Sequence, residues 1–175
     1  MIKIGLGKAL GFSLLAFIGL NFLFIIIAQT ISGDLNTLFS AISSDPLIIL
    51  LIFFGPIVNM PGNVINSIYT QASLGLFGAP LIQSIGFLVS PFVASLVAGR
   101  TGDSKGGSFG GWMLAAMIGA AALAVLAFVS AGTLLFYSIP VTDPIMLLIG
   151  FMLSGVVNGI FYGCFALLFS KAEMY

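Results

Sequence analysis

The sequence predicts an all-α integral membrane protein, a small polytopic helical bundle that forms a single transmembrane domain over residues 1–175. Two observations carry this prediction. Only 6% of the residues are charged and 60% are hydrophobic, whereas a soluble domain carries about 25% charged residues. The hydrophobic residues are also gathered into long stretches, as helices that cross a bilayer require. Such a chain has too few charges to cover a surface that faces water.

Four apolar stretches are long enough to cross a membrane, since a spanning helix needs about 20 such residues. The first is expected to be an uncleaved span, and a polar loop over residues 99–107 is expected to join the second to the third. The four stretches cover about residues 9–31, 74–98, 112–137 and 145–169.

A further apolar segment, over about residues 47–68, is broken by prolines. Its uninterrupted part runs only from residue 47 to residue 55, before Pro56 and Pro61, and this is about half the length of a spanning helix. Proline has no backbone N–H to donate, so it breaks or bends a helix. We therefore expect four full spans plus one re-entrant or Pro-broken segment. The alternative is five full spans.

The positions of the charges favour the first of these topologies. All ten charged residues lie outside the apolar stretches. With four spans, every Lys and Arg falls on one side of the membrane and Asp34, Asp45 and Asp143 fall on the other. Five spans would split the cations between the two sides. Because cytoplasmic segments are enriched in Lys and Arg, we expect a multi-pass protein with both its N-terminus and its C-terminus in the cytoplasm.

The composition argues against most enzymes. The chain has no histidine, one cysteine and five carboxylates, so the usual ligands of zinc, haem iron and iron–sulfur clusters are missing. The spans also contain no Asp, Glu, Lys, Arg or His, one of which proton-coupled transport usually requires. A net charge of zero gives no basic tract for nucleic acid. We expect no catalysis, no metal and no cofactor.

Small residues recur at every fourth position in two of the spans. This spacing places them on one face of a helix, where another helix backbone can approach closely. The partner helix can belong to the same chain or to another subunit, and the pattern does not distinguish the two. The predicted helix-packing residues are Gly155, Gly159 and Gly163 in the last span, and Gly86, Ser90 and Ala94 in the second.

Four asparagines and one tyrosine mark a candidate path for a solute. Asn59, Asn63 and Asn66 follow the break in the proline-containing segment, and Asn158 and Tyr162 flank the glycines of the last span. Broken helices at membrane depth form substrate and ion sites in many transporters. The same residues also suit structural roles, since the break can simply end a short helix and the polar stripe can form hydrogen bonds between helices.

These observations favour a non-catalytic accessory subunit of a larger membrane complex, packed against partner transmembrane helices through its small-residue seams. Its expected partners are membrane lipids and other integral membrane subunits. The alternative is a small channel or carrier for a neutral or weakly charged solute that uses residues 55–66. Convergence of Asn59, Asn63 and Asn66 on one cavity would favour this alternative.

Overall fold

The structure is a computed structural model that describes residues 4–130, 133–134 and 143–170, and the regular elements within these ranges are α-helices. The helices are α1 (Ile4–Ser32), α2 (Leu35–Ser44), α3 (Ile48–Val58), α4 (Pro61–Ser73), α5 (Ala79–Thr101), α6 (Lys105–Val129) and α7 (Pro144–Leu168). Four of them, α1, α5, α6 and α7, are long and apolar enough to cross a membrane, which confirms the predicted helical membrane fold.

The four long helices alternate in direction. At one end of the bundle, Gly5 at the start of α1 packs against Asp103, which lies between α5 and α6. At the same end, Gly99 in the last turns of α5 packs against Ala166 near the end of α7. The first and last described parts of the chain therefore lie at one end of the bundle, as an even number of crossings requires.

The described charges separate between the two ends of the bundle. The end that holds the start of α1 and the α5–α6 connection is called the basic end, and the opposite end is called the acidic end. The basic end carries Lys8, Arg100 and Lys105 together with Asp103, and the acidic end carries Asp34, Asp45 and Asp143.

Helices α3 and α4 form a re-entrant hairpin. Asp45 precedes α3 at the acidic end and accepts a hydrogen bond from Thr133, just beyond α6. Helix α3 then runs inward until Ile57 packs against Gly119, near the middle of α6. After the break at Asn59, α4 leads back to the start of α5, which lies at the acidic end because α5 ends at the basic one. The arrangement is the predicted four spans plus a re-entrant segment, and it differs from the alternative of five full spans.

The loop predicted over residues 99–107 is shorter than predicted and covers residues 102–104. Helix α5 continues to Thr101 and α6 begins at Lys105, about two turns before the predicted start. The Ser104 hydroxyl caps α6 by accepting a 3.1 Å hydrogen bond from the backbone N–H of Gly107. Gly111 lies against Ala9 of α1, so this glycine-rich sequence serves close helix packing. The last residues of the predicted span 112–137 lie outside the described residues.

Two turns of the chain have a glycine with a positive φ, and the hydrophobic pattern missed one of them. Residues 74–78 were predicted to belong to a span, but they form the turn between α4 and α5, with Gly75 at φ +68°. Helix α1 ends at Ser32, just before Gly33, whose φ is +79°. Both values lie in the left-handed region, which glycine adopts at little cost. Helix α2 follows Gly33 and meets α3 at an angle of 111°.

The core lies where α1, α3, α6 and α7 meet. Trp112 of α6 is fully buried, and its ring makes edge contacts with Phe17 of α1 at 5.8 Å and Tyr162 of α7 at 6.0 Å between centroids. Phe54 of α3 contacts Phe17 from the other side. The re-entrant helix is therefore part of the packed interior.

Candidate functional site

The break between α3 and α4 interrupts the helical hydrogen bonds inside the bundle. In an α-helix, each carbonyl accepts a hydrogen bond from the N–H four residues later. Pro56 has no N–H to give to the carbonyl of Ile52, and the carbonyl of Ile57 has no donor within the helix because α3 ends at Val58. Both carbonyls are deep in the bundle, where Ile52 and Ile57 are fully buried. Each needs a donor from elsewhere, because an unpaired carbonyl in an apolar interior costs on the order of 1–3 kcal/mol.

Asn21 of α1 serves the first of these carbonyls. Its side-chain Nδ2 donates a hydrogen bond to the carbonyl oxygen of Ile52, and the residue is fully buried. The amide thus takes the place of the N–H that Pro56 lacks. The Oδ1 of Asn21 and the Oγ of Ser90 on α5 are buried without a hydrogen-bond partner among the described residues.

Asn158 of α7 serves the second carbonyl. Its Nδ2 donates to the carbonyl oxygens of Ile57 at 3.0 Å, Asn59 at 3.3 Å and Ser154 at 3.0 Å. The Nε1 of Trp112 donates to the backbone carbonyl of Asn158 at 3.3 Å. One amide therefore ties the end of α3 to α7, and α6 supports it.

Asn59 itself closes the end of α3. Its Nδ2 donates to the carbonyl oxygen of Gly55 at 3.0 Å, and its side chain is half-buried. The amides of Asn59 and Asn158, which the sequence proposed for a solute path, are therefore brought together at the break. Their donors are used by the backbone of α3, so they hold the hairpin in place.

Tyr162, also proposed for the solute path, lies one turn beyond Asn158 on α7. It is buried, and its ring packs against Trp112. Asn63 and Asn66 lie apart from this cluster, because they are exposed on α4. The five residues predicted for a solute path thus divide between a buried cluster and an outer helix face, and the convergence of Asn59, Asn63 and Asn66 that would favour such a path is not observed.

The outer face of α4 carries a polar stripe. Asn63, Asn66, Thr70 and Ser73 are spaced by three or four residues, so they lie along one face of the helix, and all four are exposed. Of these four residues, Asn63 lies deepest in the bundle, within one turn of the break. The stripe therefore runs from near the middle of the bundle to the acidic end, on a surface at membrane depth.

The inner face of α4 is bonded to α5. The Nε2 of Gln71 donates to the hydroxyl of Ser67 at 2.8 Å and to that of Ser84 at 3.2 Å, and the two hydroxyls lie 3.1 Å apart. This cluster fixes α4 on α5. It also fixes which face of α4 points outward.

The glycines of the last span pack against α6 of the same chain. A methyl group on Gly155 would lie 2.5 Å from the Cβ of Ala120, and one on Gly163 would lie 2.6 Å from the ring of Phe109. Gly159 faces Met113 in the same way. Side chains of α6 thus occupy the space beside these three glycines, and the contact lies within the chain.

The seam on α5 is also used inside the chain. Gly86 lies against Phe24 of α1, and Ser90 and Ala94 are fully buried. The spacing left open whether the partner helix belongs to the same chain or to another subunit. At Gly86 and at the three glycines of α7, the partner is a helix of the same chain. A helix from another chain would need a different surface.

Comparison with known proteins gives no match, whether to a family model, to a curated protein or to a solved structure. Among the described residues, no group of three or more Cys, Asp or Glu lies close enough to hold a metal ion.

Proposed function

We propose that this chain is a non-catalytic subunit of a larger membrane assembly, and that a transmembrane helix of a partner packs against the outer face of α4. The observation that carries the proposal is the exposed stripe of Asn63, Asn66, Thr70 and Ser73. An amide in hydrocarbon without a hydrogen-bond partner costs on the order of several kcal/mol. A surface of this kind at membrane depth therefore calls for another polypeptide or for water beside it.

The surroundings of the stripe support a protein partner. Ile65 and Tyr69 flank it on α4 and are 50% and 72% exposed. A row of amides and hydroxyls beside exposed aliphatic and aromatic groups suits a helix–helix contact in a membrane, where packing and interhelical hydrogen bonds act together. This contact would use α4, since the small-residue seams already pack within the chain.

The charges give the orientation that goes with this proposal. Lys8, Arg100 and Lys105 lie at the basic end, and cytoplasmic segments are enriched in such residues. The basic end therefore faces the cytoplasm, and the mouth of the α3–α4 hairpin opens to the other side. A partner helix on α4 would lie mostly in the leaflet away from the cytoplasm.

A second candidate rests on the same stripe. Several copies of this chain, arranged with their α4 stripes toward a common axis, would line a path for water or for a small neutral solute. The stripe has amide and hydroxyl groups and no charge, which fits a neutral solute better than an ion. This candidate needs a particle that contains this chain alone in more than one copy.

Purification from the native membrane tests the proposal. The full chain is extracted in a mild detergent, the particle is sized, and every co-purifying chain is identified by mass spectrometry. We expect a stoichiometric unlike subunit, which the double variant Asn63→Leu/Asn66→Leu should lose. Asn36→Leu is the matched control, because Asn36 is an exposed asparagine on α2.

The remaining outcomes separate the candidates. A particle with several copies of this chain and no other would favour the channel, and flux of a neutral solute into liposomes should then fall in Asn66→Leu. A particle with one copy of this chain and no other would contradict both. Retention of the unlike subunit by the double variant would contradict the assignment of the contact to α4.

A further inference from the structure

A groove of about 260 Å³ lies between α5 and α7 on the outside of the bundle, away from the core. Its surface is apolar, and Phe161 at its rim is 41% exposed, so the groove is open to the surroundings. The volume is several times the ~30 Å³ that one water takes in the liquid. Leu88, Val89 and Phe92 line the groove from α5, and Phe161, Tyr162 and Phe165 line it from α7.

The groove is built into the packing of rigid helices. At the basic end, α5 and α7 are in close contact through Gly99, which lies against Ala166 and Phe169. Nearer the middle, α3 contacts both helices, through Gly55 against Phe87 of α5 and through the hydrogen bond of Ile57 with Asn158 of α7. The groove lies between these two points, and its depth is therefore fixed.

Hydrocarbon is the occupant that the lining fits. Water in the groove would find no polar group to bond, and a buried water needs two to four such partners. The rings of Phe92 and Phe165 meet edge to face at 5.1 Å between centroids, which gives the groove a rigid apolar wall. The surrounding solvent at this depth is lipid, because α5 and α7 are both spanning helices.

The groove lies within reach of a positive charge. Arg100 is exposed in the last turn of α5 and lies about three turns beyond Val89 on the same face of the helix. The rise of the helix places Arg100 about 12 Å beyond Phe92. One leaflet of the hydrocarbon core is about 15 Å thick, so a chain that starts at the level of Arg100 ends in the groove.

The charge at this end favours an anionic headgroup. The described residues of the basic end include Lys8, Arg100 and Lys105 against the single carboxylate of Asp103. We propose that the groove binds one acyl chain of an anionic phospholipid whose phosphate is held at Arg100. This site lies on α5 and α7, and it does not depend on a partner at α4.

Spin-labelled lipids test this site. The full chain is reconstituted in phosphatidylcholine bilayers that contain trace phosphatidylglycerol or phosphatidylcholine, each labelled deep in one acyl chain, and the motionally restricted fraction is measured. We expect wild-type protein to prefer phosphatidylglycerol. Arg100→Gln should lower this preference about fivefold, the contribution of one cation near a membrane surface. Lys8→Gln, which removes one charge from the same end but on α1, should change it much less.

A second variant separates the acyl chain from the headgroup. Val89→Phe fills the groove and keeps Arg100, so we expect loss of one restricted lipid per protein with either headgroup. Val157→Phe, a change of the same kind at a surface position of α7 outside the groove, should leave the count unchanged. The proposal is overturned if Val89→Phe retains the wild-type count, if Arg100→Gln and Lys8→Gln behave alike, or if a second polypeptide covers the groove and no lipid is restricted there.

Discussion

The side-chain Nδ2 of Asn158 donates a 3.0 Å hydrogen bond to the carbonyl oxygen of Ile57, which has no donor within α3 because the helix ends at Val58. Asn21 does the same for Ile52, the carbonyl that Pro56 leaves unpaired. Two asparagines from two spanning helices thus supply the donors that Pro56 and the end of α3 leave missing. This is how an interrupted helix can end inside a membrane bundle, where irregular backbone is tolerated only when it is satisfied by protein or water.

Replacing Asn158 should destabilise the bundle. Asn158→Leu keeps the approximate size of the side chain but leaves the carbonyls of Ile57 and Asn59 without their donor. We expect the free energy of unfolding to fall by about 1–3 kcal/mol. The measurement is equilibrium unfolding of the full chain in mixed micelles titrated with SDS.

The same substitution at Asn63 provides the control for that experiment. Asn63 is exposed, so Asn63→Leu should change the free energy of unfolding by no more than about 0.5 kcal/mol. Equal losses for the two variants would show that the hydrogen bonds of Asn158 contribute nothing specific.

Asn21 and Pro56 should be energetically coupled. In Pro56→Ala, the new backbone N–H can bond the carbonyl of Ile52, so the amide of Asn21 is no longer its sole donor. Asn21→Leu should therefore cost less in the Pro56→Ala background than in the wild type, with a coupling of about 0.6–1.7 kcal/mol. A double-mutant cycle in the same unfolding assay measures this coupling free energy. If the costs of the two substitutions are simply additive, the amide of Asn21 does not substitute for the N–H that Pro56 lacks.

Two glycines of α7 should respond to alanine with opposite signs. In Gly155→Ala the new methyl group meets Ala120 of α6, and overpacking of this kind costs about 1–3 kcal/mol. Gly150 is exposed with no heavy atom close to the added methyl group, so Gly150→Ala should be neutral or stabilising by about 0.5–1 kcal/mol. The loss in Gly155→Ala should appear in the unfolding of the isolated chain. If Gly155→Ala instead alters the size of the assembly and leaves the stability of the isolated chain unchanged, a helix of another subunit packs against the glycines of α7.

The four-span topology predicts which residues share a side of the membrane. In a Cys164→Ala background, Lys8→Cys and Lys105→Cys should react with a membrane-impermeant maleimide from the same, cytoplasmic side. Asp143→Cys should react from the opposite side. Labelling of Lys8→Cys and Lys105→Cys from opposite sides would indicate five spans.

Much of the fold could be predicted because hydrophobic length and charge placement are local properties of the sequence. The apolar stretches gave the four spans, and the prolines gave the place of the break. The helix boundaries were less accurate at α6, where Gly107 and Gly111 suggested a loop. Those glycines pack against Leu6 and Ala9, a contact between segments about a hundred residues apart, and no local pattern reveals it.

By itself, the sequence determined that this is a helical membrane protein, because too few charges are available for a surface in water, and it left four or five spans open. It also determined that glycines at every fourth position permit close helix contact. Only the tertiary structure decided that α6 of the same chain makes this contact, and that Asn158 serves the backbone while Asn63 and Asn66 face outward. The reason is physical: an asparagine is a donor and an acceptor in any setting, and what it bonds depends on which carbonyl the fold brings within about 3 Å.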